Sequence, residues 1–244
     1  MELKSYDHLA ERLYEEPNDP VALVRCQNKV EVPWVLETIR RHIGYHAEIL
    51  DMGCGAGHVT NSLAQAGHEV TGVDLSSTSL KIAEAKDVTG KVNYLRADVY
   101  RLPFSRESFD VVVAMDLLEH VMDPQKIITQ ATRVLRPGGL FIYSTVNKNP
   151  LSWLIVIKGI PWIVKNTPQN SHLYSLFISP RTLEEWMEDV GLDPIEKKGI
   201  RPVLMQKSLF DLLSTGEVPE NLRFKFTKQC PIGYTGFAKK LREH

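Results

Sequence analysis

"ILDMGCGAGHV", residues 49–59, decides how the rest of the chain is read. Two apolar residues and an acid run into three alternate glycines, Gly53, Gly55 and Gly57, and helix-forming sequence follows from His58. A strand that reverses into a helix in so few residues needs backbone freedom, and bare backbone also lets a ligand come close. The spacing separates the known loops of this kind. No Gly-Lys-Ser/Thr follows, which excludes a P-loop, and a dinucleotide fingerprint would put its third glycine where His58 stands. Taken alone, the loop reads as a tight turn that many α/β proteins use for packing.

Outward from the loop, strand-like and helix-like segments alternate. "AEILDMG", "HEVTGVDLS", "VNYLRADV", "FDVVVAMD" and "LFIYSTV" read as strands. Between them lie "HVTNSLAQAG", "STSLKIAEAK" and a helix from Asp123 that Pro137 and two glycines should stop. Apolar strands joined by polar-faced helices predict a mostly parallel sheet covered on both faces, a Rossmann-like α/β fold. Before the loop, helices are predicted over residues 5–14 and 30–43, with Pro33 in the first turn of the second. After residue 147 the pattern changes to an apolar stretch broken by Lys158, Gly159 and Pro161. A helix capped by Ser179 and two strands, near residues 193–200 and 232–241, then finish the sheet. The expected organisation is N-terminal helices over the site (1–45), a ligand-binding core (46–147), an apolar insertion (148–178) and an acceptor-side remainder (179–244).

Composition narrows the function. With 244 residues, a net charge of −1 and a pI near 6.7, no polyanion-binding surface is indicated, so no nucleic-acid partner is expected. Cys26, Cys54 and Cys230 are widely spaced and odd in number, as free thiols of a reducing compartment would be. The first sixteen residues hold five acids and no apolar core, so the expected location is cytoplasmic.

The acids make the glycine loop specific. Asp51 ends the first strand, Asp74 ends the second at 21 residues beyond Gly53, and Asp98 closes the third. An acid at about twenty residues is the offset expected for one that holds ribose hydroxyls, and ligands of open α/β sheets sit beyond these strand ends. Three carboxylates suit a ligand with an ammonium, a sulfonium, a ribose and an adenine better than they suit a pyrophosphate. That ligand is S-adenosylmethionine.

Residues 30–147 accordingly resemble the class I S-adenosylmethionine-dependent methyltransferases, whose Rossmann-like sheet has seven strands. The resemblance implies that Asp51 and the Gly53–Gly55–Gly57 loop face the methionine part, Asp74 the ribose, and Asp98 with Val99 the adenine, while Met115 lines the pocket.

The stretch "DVVVAMDLLEHVMDPQ" adds a second centre. Asp116, Glu119 and His120 put two carboxylates and an imidazole within five residues. They either shape the loop after the fourth strand or, if residues 116–120 form a turn of helix, converge on one divalent ion. Through "MDLLEHVMDP", "RPGGLFIYSTVNKNPLSWL" and "TPQNSHLYSLFISP", residues 110–187 resemble the O-methyltransferases of ubiquinone biosynthesis, which act on 3-demethylubiquinol and 2-polyprenyl-6-hydroxyphenol. That resemblance implies a phenolic, polyprenylated acceptor and a metal motif, E-x-x-E-H, whose positions Asp116, Glu119 and His120 occupy, with Mg²⁺ or another divalent cation as its ion. Asp116 is one methylene shorter than the family's Glu, and Glu31 stands where the family carries an Arg near the cofactor. Beyond residue 190 the match is poor.

His120 and Glu119 are the expected catalytic residues, with His172 a second histidine to weigh. The segment at 148–165, with two tryptophans and Lys148, Lys158 and Lys165, is too short to span a bilayer, which needs about twenty residues. It reads either as a peripheral contact on the inner face of the membrane or as a lid over the site. Another small acceptor methylated at O, N or C, and a cofactor-binding interaction protein without catalysis, stay open as alternatives.

Overall fold

A computed structural model of the chain describes residues 21–167 and 172–242. Its strands are β1 (Glu48–Met52), β2 (Glu69–Asp74), β3 (Asn93–Arg96), β4 (Phe109–Ala114), β5 (Leu135–Val146), β6 (Leu192–Pro202), β7 (Phe224–Thr227) and β8 (Gly233–Lys240). They form one sheet in the order β3-β2-β1-β4-β5-β8-β6-β7. Pairing is parallel from β3 to β5 and antiparallel from β5 to β7. The helices are α1 (Val21–His42), α2 (His58–Gln65), α3 (Ser77–Ala85), α4 (Pro124–Val134), α5 (150–163), α6 (Pro180–Glu188) and α7 (Lys207–Thr215).

The central strands β1 and β4 are buried on both faces, which is why they lack a polar alternation, whereas β3 at the sheet edge is partly exposed. Leu50, Met52, Val112 and Ala114 face one layer with α4 and α6. Ile49, Val111, Val113 and Ile142 face the other, under α1 and α2. A third, smaller cluster joins α1 to α5 and α7 through Ala22, Cys26, Val164 and Leu212.

The Rossmann-like expectation holds, with one strand added. The short edge strand β7 and helix α7 lie in the divergent tail, and neither was among the elements expected from the sequence. Helix α1 already runs at Val21, the first described residue, rather than from residue 30, so Pro33 lies inside it and not in its first turn. The helix predicted over residues 5–14 falls outside the described residues. Helix α4 stops at Val134, and "LRPGG" instead opens β5 through an irregularity in its pairing with β4. Gly139 is needed there, because a Cβ would stand 2.7 Å from the Asp110 carbonyl oxygen. Ser179 caps α6 as expected, its side chain accepting from the Thr182 N–H.

Helix α5 contains a π-helical stretch, Trp153–Gly159, between α-helical turns. No helix among the described residues is long and apolar enough to cross a membrane. Strand β1 sits between β2 and β4, so the chain leaves the sheet in opposite directions on its two sides. That divergence opens a crevice beyond the carboxyl ends of β1 and β4.

Candidate active site

The crevice holds a cavity of about 520 Å³, walled mainly from α1 and the carboxyl ends of β1 to β4, with Leu173 and Leu176 closing one side. The β1–α2 loop contributes Asp51, Gly53, Cys54 and Gly55. The ends of β2 and β3 contribute Asp74, Asp98 and Val99. The end of β4 contributes Met115, Asp116, Glu119 and His120, and α1 contributes Val21, Val24 and Asn28. Every site residue expected on the cavity wall is there except Gly57.

Gly57 works on the other side of the loop. It caps α2 with φ +82°, and a Cβ on it would stand 2.5 Å from Tyr94 Oη and 2.7 Å from the Ala83 Cβ. Its bare backbone lets α3 and β3 pack against α2. Gly55, at φ +52°, has open space where its Cβ would be. The three glycines therefore share a backbone conformation but not a role.

Asp74 organises the loop before any ligand arrives. Its two carboxylate oxygens accept from the backbone N–H groups of Gly55 (2.9 Å) and Ser76 (2.8 Å). Each oxygen keeps a lone pair for a further donor. Asp98 accepts from the Tyr100 N–H at 2.9 Å, which turns the chain after β3. Asp51 is buried and accepts from the Thr60 hydroxyl at 2.6 Å. Burial pushes its carboxyl up to about 7, with the Thr60 bond acting the other way and the Asp74 charge adding to the rise. A buried acid held so high calls for a cationic partner.

At the end of β4 the backbone is strained. Asp116 has φ +50°, an uncommon conformation for a non-glycine residue, and the reciprocal hydrogen bonds with Ser144 hold it there. Leu118–His120 then form a short 3₁₀ turn. Glu119 points inward and accepts from the Thr145 hydroxyl at 2.9 Å. His120 lies 5.0 Å, ring to ring, from His172. Burial pushes the carboxyls of Asp116 and Glu119 up, Glu119 to about 8, with the Asp116 charge adding to the rise. Burial pushes the imidazoles the opposite way, His120 to about 3 with His172 contributing, and His172 to about 4.

The expected metal triad does not form. Ser144 and Thr145 turn the carboxylates of Asp116 and Glu119 toward β5, and His120 packs on His172. Among the described residues no three His, Cys, Asp or Glu side chains gather as metal ligands. The donor set as placed does not fit a divalent ion.

Two residues on α1 matter, Glu31, which the family resemblance had set near the cofactor, and Asn28, which the sequence did not mark. Glu31 is fully buried, off the cavity wall, with Oε2 bonded to Gln27 and Oε1 without a partner. Desolvation, then the charges of Asp116 and Glu119, raise its carboxyl well above the ordinary range. It therefore backs the acidic wall and does not stand against the cofactor loop. Asn28, one turn earlier, lines the cavity with an unpartnered Oδ1. No local pattern distinguishes a polar residue that faces a cavity from one that faces solvent.

Comparison with known proteins bears on this geometry. Residues 50–143 match the family model described as a methyltransferase domain. The ubiquinone biosynthesis O-methyltransferase of Bordetella pertussis is 34% identical over 82% of this chain and 83% of its own length. The enzyme of the same name from Hahella chejuensis is 36% identical over 67% of this chain and 71% of its own length. Among solved structures, an S-adenosylmethionine-dependent methyltransferase from Methanosarcina mazei superposes with a TM-score of 0.59 at 22% identity, covering 84% of this chain and 98% of that one. That structural likeness speaks for the fold.

Proposed function

We propose that this chain, which belongs to the ubiquinone biosynthesis O-methyltransferase family of S-adenosylmethionine-dependent enzymes, transfers the cofactor's sulfonium methyl to a phenolic oxygen of a catechol-like quinone precursor. One observation carries the proposal. A single cavity joins the glycine loop and the strand-end acids to the Asp116–His120 wall, so cofactor and acceptor can meet in it.

In this reading Asp51, Gly53 and Gly55 hold the methionine part, Asp74 the ribose, and Asp98 with Val99 the adenine, with Met115 at the wall. The high position of the Asp51 carboxyl supports its share, because the cofactor's ammonium would relieve the buried charge. Gly57 supports the loop indirectly, through packing.

Methyl transfer from a sulfonium needs alignment of oxygen, carbon and sulfur and the exclusion of water. It also needs the phenol to lose a proton that it holds up to a pH of about 10. His120, driven to about 3, would have to take that proton across about seven pH units, an uphill transfer of about 9 kcal/mol. Glu119, which burial and the Asp116 charge drive up, lies much closer to the phenol in proton affinity. Glu119 is therefore the proton acceptor, and neutral His120 holds the phenolic hydroxyl as a hydrogen-bond partner. No step runs through a metal ion. Glu119→Gln should cut methyl transfer by about a hundredfold or more while leaving S-adenosylhomocysteine affinity unchanged. An active Glu119→Gln enzyme would remove the carboxyl from the chemistry.

A polyprenylated acceptor would reach the site from lipid, and α5 is the element suited to meet it. Trp162 is 89% exposed and Leu154 55%, with Lys158 lying over the Trp153 ring. Exposed aromatic and apolar residues beside lysines suit an anionic membrane surface. Trp162→Ser should weaken co-sedimentation with anionic vesicles, and unchanged binding would leave α5 as a cover over the site.

A further inference from the structure

The cofactor brings both signs of charge into the cavity at its methionine end, an ammonium and a carboxylate. Asp51 answers the ammonium. The carboxylate is harder to place, because five of the side chains lining the cavity are acids, Asp51, Asp74, Asp98, Asp116 and Glu119. Two carboxylates sharing one buried site force one of them to take up a proton, unless a cation meets the second.

Donors gather at one corner of the wall, where α1 packs on α2. Helix α2 starts at His58, which lines the cavity, and its N-cap, Gly57, brings no side chain to the first turn. A helix start of that kind favours an anion. On α1, Val21, Val24 and Asn28 line the cavity at the spacing of one helix face. Arg25 falls between the last two and is half-buried. Burial, and then the Arg25 charge, lower the His58 imidazole below its ordinary value, so the guanidinium bears on that corner. The other basic side chains of α1 are engaged elsewhere among the described residues. Lys29 donates to the Glu220 carbonyl oxygen, Arg40 and Arg41 pair with Glu37, and His42 packs on Phe237. Arg25 is the cation that α1 offers to the cavity.

Asn28 stands in the wall itself, only 4% exposed, with Oδ1 unpartnered. Buried polar atoms are almost always paired, so an orphan acceptor on a cavity wall marks where a ligand's donor belongs. An ammonium has three donors, and the Asp51 carboxylate already accepts from Thr60. The carboxylate and the ammonium of a methionine hang from one carbon, so the groups that receive them must be neighbours. Arg25 and Asn28, three residues apart on a helix, are neighbours.

We propose that Arg25 and His58 receive the carboxylate of the cofactor's methionine end and that Asn28 accepts from its ammonium, so that α1 completes a site the glycine loop only begins. The inference rests on the S-adenosylmethionine reading and deepens it, by naming the residues outside the loop that grip the amino-acid end. Cofactor forms that lack either group should bind weakly for separable reasons.

Calorimetric titration of the full chain with three ligands, and no acceptor present, tests each contact. S-adenosylmethionine carries both groups, its decarboxylated form keeps only the ammonium, and 5′-methylthioadenosine has neither. Arg25→Ala should weaken S-adenosylmethionine by about tenfold or more and leave the other two ligands unchanged. Arg25→Lys should recover part of the loss. Asn28→Ala should weaken S-adenosylmethionine and its decarboxylated form by about tenfold and leave 5′-methylthioadenosine unchanged. Unchanged 5′-methylthioadenosine binding shows that a variant is folded, and Asn28→Ser, a milder change, should give the same pattern. An Arg25→Ala protein with normal S-adenosylmethionine affinity overturns the proposal. So does equal weakening of all three ligands, which would make Arg25 and Asn28 supports of the fold, and so does an Asn28→Ala protein that keeps both ammonium ligands. If the binding pattern holds but no phenol is methylated, the proposed reaction fails and the site stands. If S-adenosylmethionine does not bind, both fall.

Discussion

Two glycines two residues apart should fail in different ways when each becomes alanine. At Gly57 the added Cβ meets Tyr94 Oη at 2.5 Å, the Ala83 Cβ at 2.7 Å and the Ala83 Cα at 3.1 Å. The Ala83 atoms belong to α3, which cannot move without opening the core. A left-handed backbone costs a non-glycine residue about 1–2 kcal/mol, and overpacking adds about 1–3 kcal/mol. Gly57→Ala should therefore lose roughly 3 kcal/mol. For a domain of this size that is a fall in Tm of about 10 °C. At Gly55 the Cβ meets nothing within 4 Å, so only the backbone conformation is penalised. Gly55→Ala should lose about 1–2 kcal/mol, but its methyl stands in the cavity and should weaken S-adenosylhomocysteine binding by about tenfold or more. Thermal melts and calorimetric titration of both variants separate the two effects. A Gly57→Ala protein of normal stability, or a Gly55→Ala protein of normal affinity, would refute this division of labour.

Three further outcomes follow from the site. Asp51, raised by burial to about 7 from 3.8, keeps in the folded state a proton that the unfolded chain releases. The stability this gives is complete below about pH 4 and is lost as pH rises through 7, by about 4 kcal/mol at pH 8. Urea melts at pH 5 and pH 8 should show the fall, with S-adenosylhomocysteine opposing it; stability flat in pH would place no buried acid there. Turnover should rise with pH through about 8 as Glu119 loses its proton, and His120→Ala should lower the rate without abolishing that rise. A chelator should leave turnover unchanged, and loss of activity that Mg²⁺ restores would show that Asp116, Glu119 and His120 rearrange to hold an ion.

The part of the fold that surrounds the cofactor was legible because its signals are local. "ILDMGCGAGHV" carries a strand, a turn and a helix start within one stretch, and β4 ends in the apolar run "VVVA". Asp74 could be assigned from its spacing because the loop and the strand end are fixed relative to each other by the sheet. Other features depend on partners far along the chain. That Gly57 serves packing depends on Ala83 and Tyr94, and the inward turn of Glu119 depends on Thr145 on β5. The alternation of types in "DLLEH" fits a metal site, but the left-handed Asp116 backbone, held by Ser144, breaks the helical turn that a metal site would need. Asn28 looked like an ordinary polar position on a helix, and Glu31 was noted only against the family's Arg near the cofactor. Their place at the cavity is set by how α1 lies over the sheet. Helix α7 was missed although Leu209, Leu212 and Leu213 keep a helical period and Gly216 caps it, and β7, only four residues long, is too short to show an alternation.

The most direct test of the central claim is a methyl-transfer assay with radiolabelled S-adenosylmethionine and a short-tailed demethylubiquinol, with the product identified by mass spectrometry. The account predicts label on a single phenolic oxygen, transfer that persists in chelator, and near-complete loss in Glu119→Gln. Tight cofactor binding with no label on any phenolic oxygen would contradict it.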